Sequence, residues 1–141
     1  MDEASKLDSA TGPASVLVVE DEVLIRMLLA DEIRALGYTV VEAANADEAV
    51  TVLTSGTWVD LMLTDIQMPG VMDGIALATF VRRAYPGVKV VVASGRADEV
   101  RRSAVQVDAI FTKPYDIWGI IAAVRRLIGQ EQPLTGRVDR A

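Results

Sequence analysis

Five short apolar runs separated by helical stretches predict an α/β fold: a doubly wound five-stranded parallel sheet of order 2-1-3-4-5, flanked by five helices. Three observations carry that expectation. Runs such as Ser15-Val16-Leu17-Val18-Val19 and Leu61-Met62-Leu63-Thr64 are too short for helices and lack polar alternate positions, the pattern of strands covered on both faces. The stretches between such runs repeat apolar residues at helical spacing and stop at glycine or Pro-Gly, so strand and helix alternate along the chain. The runs also end in reactive side chains: Glu20-Asp21-Glu22 after the first, Asp65 after the third, Ser94 after the fourth and Lys113 after the fifth. In an open parallel sheet the carboxyl ends of the strands line the ligand crevice.

Taken in order, Ser15 to Val19 reads as the first strand. Val23 to Leu36 follows as a helix that Gly37 is placed to stop. Thr39 to Ala43 is the second strand, and Asn45 to Leu53 a helix with Asn45 as N-cap and Asp47 and Glu48 in the first turn, where carboxylates complement the helix dipole. Leu61 to Asp65 is the third strand, running into the turn Gln67-Met68-Pro69-Gly70. Gly74 to Tyr85 is a helix ended by Pro86-Gly87, and Val88 to Ala93 the fourth strand. A short charged helix covers Ala97 to Val105, and Ala109 to Thr112 forms the fifth strand before Lys113-Pro114. The last helix spans Asp116 to Ile128, with Ile117, Ile120, Ile121, Val124 and Ile128 on one face and Gly129 at its end. One domain over residues 15–129 results, with residues 1–14 and 130–141 expected as disordered tails because they carry no periodicity.

Composition narrows the function. The chain has 141 residues, enough for one domain with a proper core, and is 51% apolar and 24% charged. A net charge of −6 without a basic stripe argues against nucleic acid as a partner. There is no cysteine and no histidine, which removes thiolate chemistry, His-based catalysis and the commonest transition-metal ligands. No apolar run approaches the length of a membrane span and the N-terminus lacks a signal-peptide core, so a cytoplasmic location is expected.

The strand order brings Glu20, Asp21, Asp65, Ser94 and Lys113 to one crevice. Three crowded carboxylates repel each other unless a cation joins them. An oxygen-only set without His or Cys suits a hard divalent ion, in practice Mg²⁺. The metal and Lys113 together balance the carboxylates, so a phosphoryl group can approach, and Ser94 adds a hydroxyl at the rim. Each residue also has a structural reading: the acidic triplet as a helix N-terminus, Ser94 as a turn residue, Lys113 as a solvated loop lysine. Only the conjunction favours function.

At this point the chain resembles the receiver domains of two-component response regulators, the chemotaxis-protein-like fold. The likeness covers Ser15 to Gly129 and rests on Glu20-Asp21, Asp65 followed by Met68-Pro69-Gly70 and Asp73-Gly74, Ser94, and Lys113-Pro114. It implies a phosphoprotein of a phosphorelay in which Asp65 accepts a phosphoryl group from a partner's phosphohistidine. The partner would be a sensor histidine kinase or a histidine phosphotransfer protein. It further implies that Asp21 and Asp65 bind Mg²⁺ directly, Glu20 through water, and the backbone carbonyl of Gln67 completes the ligands. Lys113 would pair first with the Asp65 carboxylate and then with the phosphoryl group, Ser94 would turn inward to that group, and Lys113-Pro114 would be cis. Such a protein catalyses only its own phosphorylation and slow dephosphorylation. With only a dozen residues after the last helix, it is expected as a stand-alone receiver or an excised module, monomeric or weakly dimeric.

Three departures from the family pattern stand out. Ile110 occupies the position of the usual switch aromatic, and Phe111 one place later should point to the opposite face. The Gly70-Val71-Met72-Asp73-Gly74 loop carries one extra residue, and the Ser94 to Lys113 segment is short, trimming the fourth helix or the loop after it. Loss of the aromatic argues mildly for the alternative of a phosphorylation-independent interaction module, and the intact Asp65, Asp21 and Lys113 argue against it. A haloacid-dehalogenase-like phosphohydrolase is disfavoured, because Gln67 stands where its second Asp is needed. The first helix is apolar around most of its circumference. With Ile25, Leu28, Leu29 and Leu36 turned to the sheet, Leu24 and Met27 are left as candidate partner-docking residues.

Overall fold

The computed structural model describes residues 12–70, 72–114 and 116–131. Strands β1 (Ser15–Val19), β2 (Thr39–Ala43), β3 (Leu61–Thr64), β4 (Lys89–Ser94) and β5 (Ala109–Thr112) form one sheet, all neighbours parallel, in the order β2-β1-β3-β4-β5. Helices α1 (Val23–Ala35), α2 (Ala46–Thr54), α3 (Gly74–Ala84), α4 (Ala97–Arg102) and α5 (Ile117–Glu131) connect or follow them. This is the predicted topology.

The continuous apolar strands are explained by two cores, one on each face of the sheet. Val16 and Val18 of β1 pack with Leu63 and Val91 beneath α1 and α5, whereas Leu17 and Val19 pack with Met62 and Val92 beneath α2, α3 and α4. Both faces of β1 are buried, which is why Val16 to Val19 are apolar at both parities. Each fully enclosed Val or Leu contributes about 1.5–3 kcal/mol to that packing.

Local signals set the helix starts. Asn45 accepts the Glu48 N–H at 2.8 Å while Glu48 Oε1 accepts the Ala44 N–H at 2.7 Å, a reciprocal arrangement that seats α2. Asp73 caps α3 through the Ala76 N–H at 2.9 Å, and Asp116 Oδ1 accepts the Gly119 N–H at 3.0 Å at the start of α5. Gly37, with φ +94°, follows the end of α1 as expected of a residue in the left-handed region.

Several boundaries differ from the sequence expectation. α5 runs through Gly129 to Glu131, because glycine inside a helix costs only about 1 kcal/mol and Gln130-Glu131 are good helix formers. The helical part of the chain thus reaches two residues into the expected C-terminal tail; residues 132–141 lie outside the described ones. At the other end Ala14 is buried and its carbonyl accepts the Thr39 N–H at 2.8 Å, so it belongs to the domain rather than to the tail, while residues 1–11 lie outside the described ones. α4 ends at Arg102, three residues earlier than expected. Leu28 does not face the sheet but is 46% exposed, because Leu29, Ala30 and Ile33 occupy the buried stripe of α1. Among the described residues, no helix is long and apolar enough to cross a membrane.

Candidate functional site

Three site residues are held by the sheet itself. The ladder continues one residue beyond the strands: Glu20 N–H donates to Ala43 O at 3.0 Å, Asp65 N–H to Val19 O at 3.2 Å, and Lys113 N–H to Ser94 O at 3.1 Å. Residues at the lip of the sheet therefore have strand-like backbone rigidity while their side chains leave the core. This is what a preorganised site requires.

Carboxylate oxygens of Glu20, Asp21 and Asp65 lie within 4.8 Å of one another. Glu20 and Asp65 are 2% and 4% exposed, and Asp21 faces solvent. Asp65 Oδ1 accepts the Ile66 N–H at 2.6 Å and the Gln67 N–H at 3.2 Å, and its Oδ2 accepts from Lys113 Nζ at 3.2 Å. Glu20 Oε2 accepts the Glu22 N–H at 3.1 Å, and its backbone carbonyl accepts from Arg26 Nη1 at 2.8 Å. Two buried carboxylates beside a third, with lysine as the neighbouring cation, leave negative charge in excess. An oxygen-only donor set open on its Asp21 side fits a small hard divalent ion.

Burial works against the Lys113 ammonium, but its hydrogen bond to Asp65 and the charges of Asp65, Glu20 and Glu22 outweigh that cost. The group stands above its ordinary value. It is therefore a permanent cation through the neutral range, losing its contribution to stability only as pH rises through that elevated value. The Lys113-Pro114 bond is cis, as the resemblance implied.

Ser94 is fully buried, and its Oγ accepts the Arg96 N–H at 3.1 Å. The expected opposition of Ile110 and Phe111 is present. Half-buried Ile110 packs against the core on the α4 side and half-buried Phe111 against the core on the α1 and α5 side, where a side-chain carbon at Gly119 would lie 3.3 Å from its ring. Leu24 and Met27 on α1 are 80% and 48% exposed, next to exposed Val23.

Two residues close to the site were not singled out from sequence as structural supports. Thr64 Oγ1 donates to the Asp65 carbonyl at 2.8 Å inside the core. Gly74 lies so near that a Cβ there would fall 2.1 Å from the Asp65 carbonyl oxygen, while its N–H donates to Ile66 O at 2.9 Å. No side chain fits, and the Asp73-Gly74 pair, already noticed as a motif, was the signal.

Comparison with known proteins decides the family. Residues 16–125 match the model of the response regulator receiver domain. The chain belongs to that family. Receiver domains partner histidine kinases, and the acidic trio found here is typical of their magnesium site. Among curated relatives, the chain is 33% identical over 133 residues to sensor kinase CckA of Brucella abortus, covering 89% of this chain and 14% of that protein. It is 35% identical over 125 residues to the DNA-binding transcriptional regulator NtrC of Salmonella typhimurium, covering 84% and 26%. To the transcriptional regulatory protein PdtaR of Mycobacterium tuberculosis it is 35% identical over 130 residues, covering 89% and 62%. The chain thus spans less than two thirds of these relatives. Among solved structures, response regulator protein TrrA of Thermotoga maritima in complex with Mg²⁺-BeF aligns with a TM-score of 0.72 and 29% identity, over 81% of this chain and 98% of that one. A receiver protein of Sinorhizobium medicae aligns at 0.78 with 25% identity, over 86% and 98%.

Proposed function

We propose that this receiver domain is a Mg²⁺-dependent phosphoacceptor switch in the cytoplasm, taking a phosphoryl group onto Asp65 from the phosphohistidine of a sensor histidine kinase or histidine phosphotransfer protein. The observation that carries the reading is the Asp65 carboxylate, buried and oriented by two backbone N–H groups and Lys113, with Glu20 and Asp21 oxygens within 4.8 Å. In the transfer a carboxylate oxygen of Asp65 forms a P–O bond as the P–N bond to imidazole breaks, and the departing imidazole takes up a proton. Asp21 and Asp65 would hold Mg²⁺ directly, Glu20 through water, and the Gln67 carbonyl would complete the protein ligands. The ion's contribution is to neutralise phosphoryl oxygens. Lys113 binds another of those oxygens, and little other chemistry is required of the protein. Leu24 and Met27 form part of the surface on which the phosphohistidine partner docks.

The test is incubation with acetyl phosphate and Mg²⁺ followed by intact-mass measurement. Wild-type protein gains one phosphoryl group; Asp65→Asn does not, and neither does wild type with Mg²⁺ chelated. Labelling that persists in Asp65→Asn would overturn the assignment. Ile110 in place of an aromatic supports a second reading, a phosphorylation-independent interaction module. Failure of the wild type to label would favour it.

A further inference from the structure

Arg26 is part of α1, and its largely buried side chain reaches both the end of β1 and the edge strand β2. Nη1 donates to the Glu20 carbonyl at 2.8 Å and Nε to Glu42 Oε1 at 3.2 Å. Glu42, on edge strand β2, is held from its other oxygen by Arg34 Nη2 at 3.2 Å, and Arg34 also donates to the Val40 carbonyl at 3.3 Å. The carbonyl that Arg26 grips belongs to the peptide joining Glu20 to Asp21. That peptide's plane sets how the two successive carboxylates diverge, and it follows directly on the end of β1 at Val19, where the Glu20 N–H donates to the Ala43 carbonyl at 3.0 Å.

We infer that Arg26 is a positioning residue for the metal site: braced by Glu42, it fixes the Glu20–Asp21 peptide so that both carboxylates present oxygens to one cation. The inference rests on the Mg²⁺ reading above and extends it to residues that touch neither metal nor phosphoryl group. Its physical signature is a sign. Arg26 places a positive charge beside a cation site, so through charge alone its removal tightens Mg²⁺ binding. Loss of positioning does the opposite.

The experiment is calorimetric titration of the full chain with Mg²⁺, alongside thermal unfolding of each variant. Arg26→Met keeps the stem and removes every donor. It should raise the Mg²⁺ Kd roughly tenfold, the low end of what outer-shell partners contribute to metal sites. Arg26→Lys keeps the charge and one donor group but cannot span Glu20 and Glu42 in the same geometry, so its Kd should fall between wild type and Arg26→Met. An Arg26→Met protein that is folded and binds Mg²⁺ as tightly as wild type, or more tightly, overturns the inference. If Arg26→Met does not fold, Arg26→Lys decides: with charge unchanged, weaker binding supports positioning and wild-type binding refutes it. Wild-type protein that does not bind Mg²⁺ at all is a different result, which overturns the proposed function and this inference with it.

Discussion

The Ser94 hydroxyl accepts the Arg96 N–H at 3.1 Å. If phosphorylation of Asp65 draws that hydroxyl inward, the Arg96 N–H must be released, and the loop between β4 and α4 moves with it. On the proposed reading, with Ile110 in the place of an aromatic toggle, this hydrogen bond joins the site to Arg96 at the start of α4. Ser94→Ala should therefore accept a phosphoryl group from acetyl phosphate at a near-normal level, yet lose most amide shift changes over residues 95–102. Wild-type shifts in the phosphorylated variant would place the coupling elsewhere. Residue-level detail also marks the limits of reading from sequence. Asp65, Ser94 and Lys113 are legible because polar groups at the ends of apolar strands are conspicuous. The grip of Arg26 on the Glu20 carbonyl joins a helix to a loop, and no spacing rule announces it.

Helix α1 carries apolar residues on both sides. Leu29, Ala30 and Ile33 are buried, while Val23, Leu24, Met27 and Leu28 are exposed. An amphipathic surface helix needs one apolar stripe, so the second calls for another occupant. On the proposed reading this is the phosphohistidine partner, which must reach the same crevice. Met27→Glu should then leave acetyl-phosphate labelling of Asp65 near normal and slow transfer from the cognate phosphohistidine protein at least tenfold, measured as rates from the two donors. Equal effects on both donors, or none on either, would remove α1 as the docking element. Periodicity reveals the excess of apolar positions but not which of them pack, so it turns Leu28 to the sheet where the structure leaves it exposed. Gly129 misled in a similar way: a glycine marks a helix end only when the backbone turns left-handed there, and Gly129, unlike Gly37, is not among the glycines with positive φ.

At the scale of the whole molecule, the topology was legible because both faces of the sheet are covered, leaving uninterrupted strands and clear turns between them. The same topology concentrates negative charge at one end of the sheet, and this has a measurable consequence for stability. Among the described residues Asp21 takes part in no ion pair, although its carboxylate lies within 4.8 Å of those of Glu20 and Asp65. Like charges at such a distance repel by about 1 kcal/mol in water-like surroundings. Without divalent ions, Asp21→Asn should thus unfold at a higher temperature than wild type, by a few degrees for about 1 kcal/mol. With Mg²⁺ at a hundred times its Kd, wild type gains about 2.7 kcal/mol while the variant, having lost a ligand, gains less. The order of melting temperatures should then reverse. Thermal unfolding of both proteins in EDTA and in excess Mg²⁺ measures this directly. A variant that melts below wild type in EDTA would show that Asp21 does not strain the ion-free cluster, and one that gains as much from Mg²⁺ would show that Asp21 does not bind the ion.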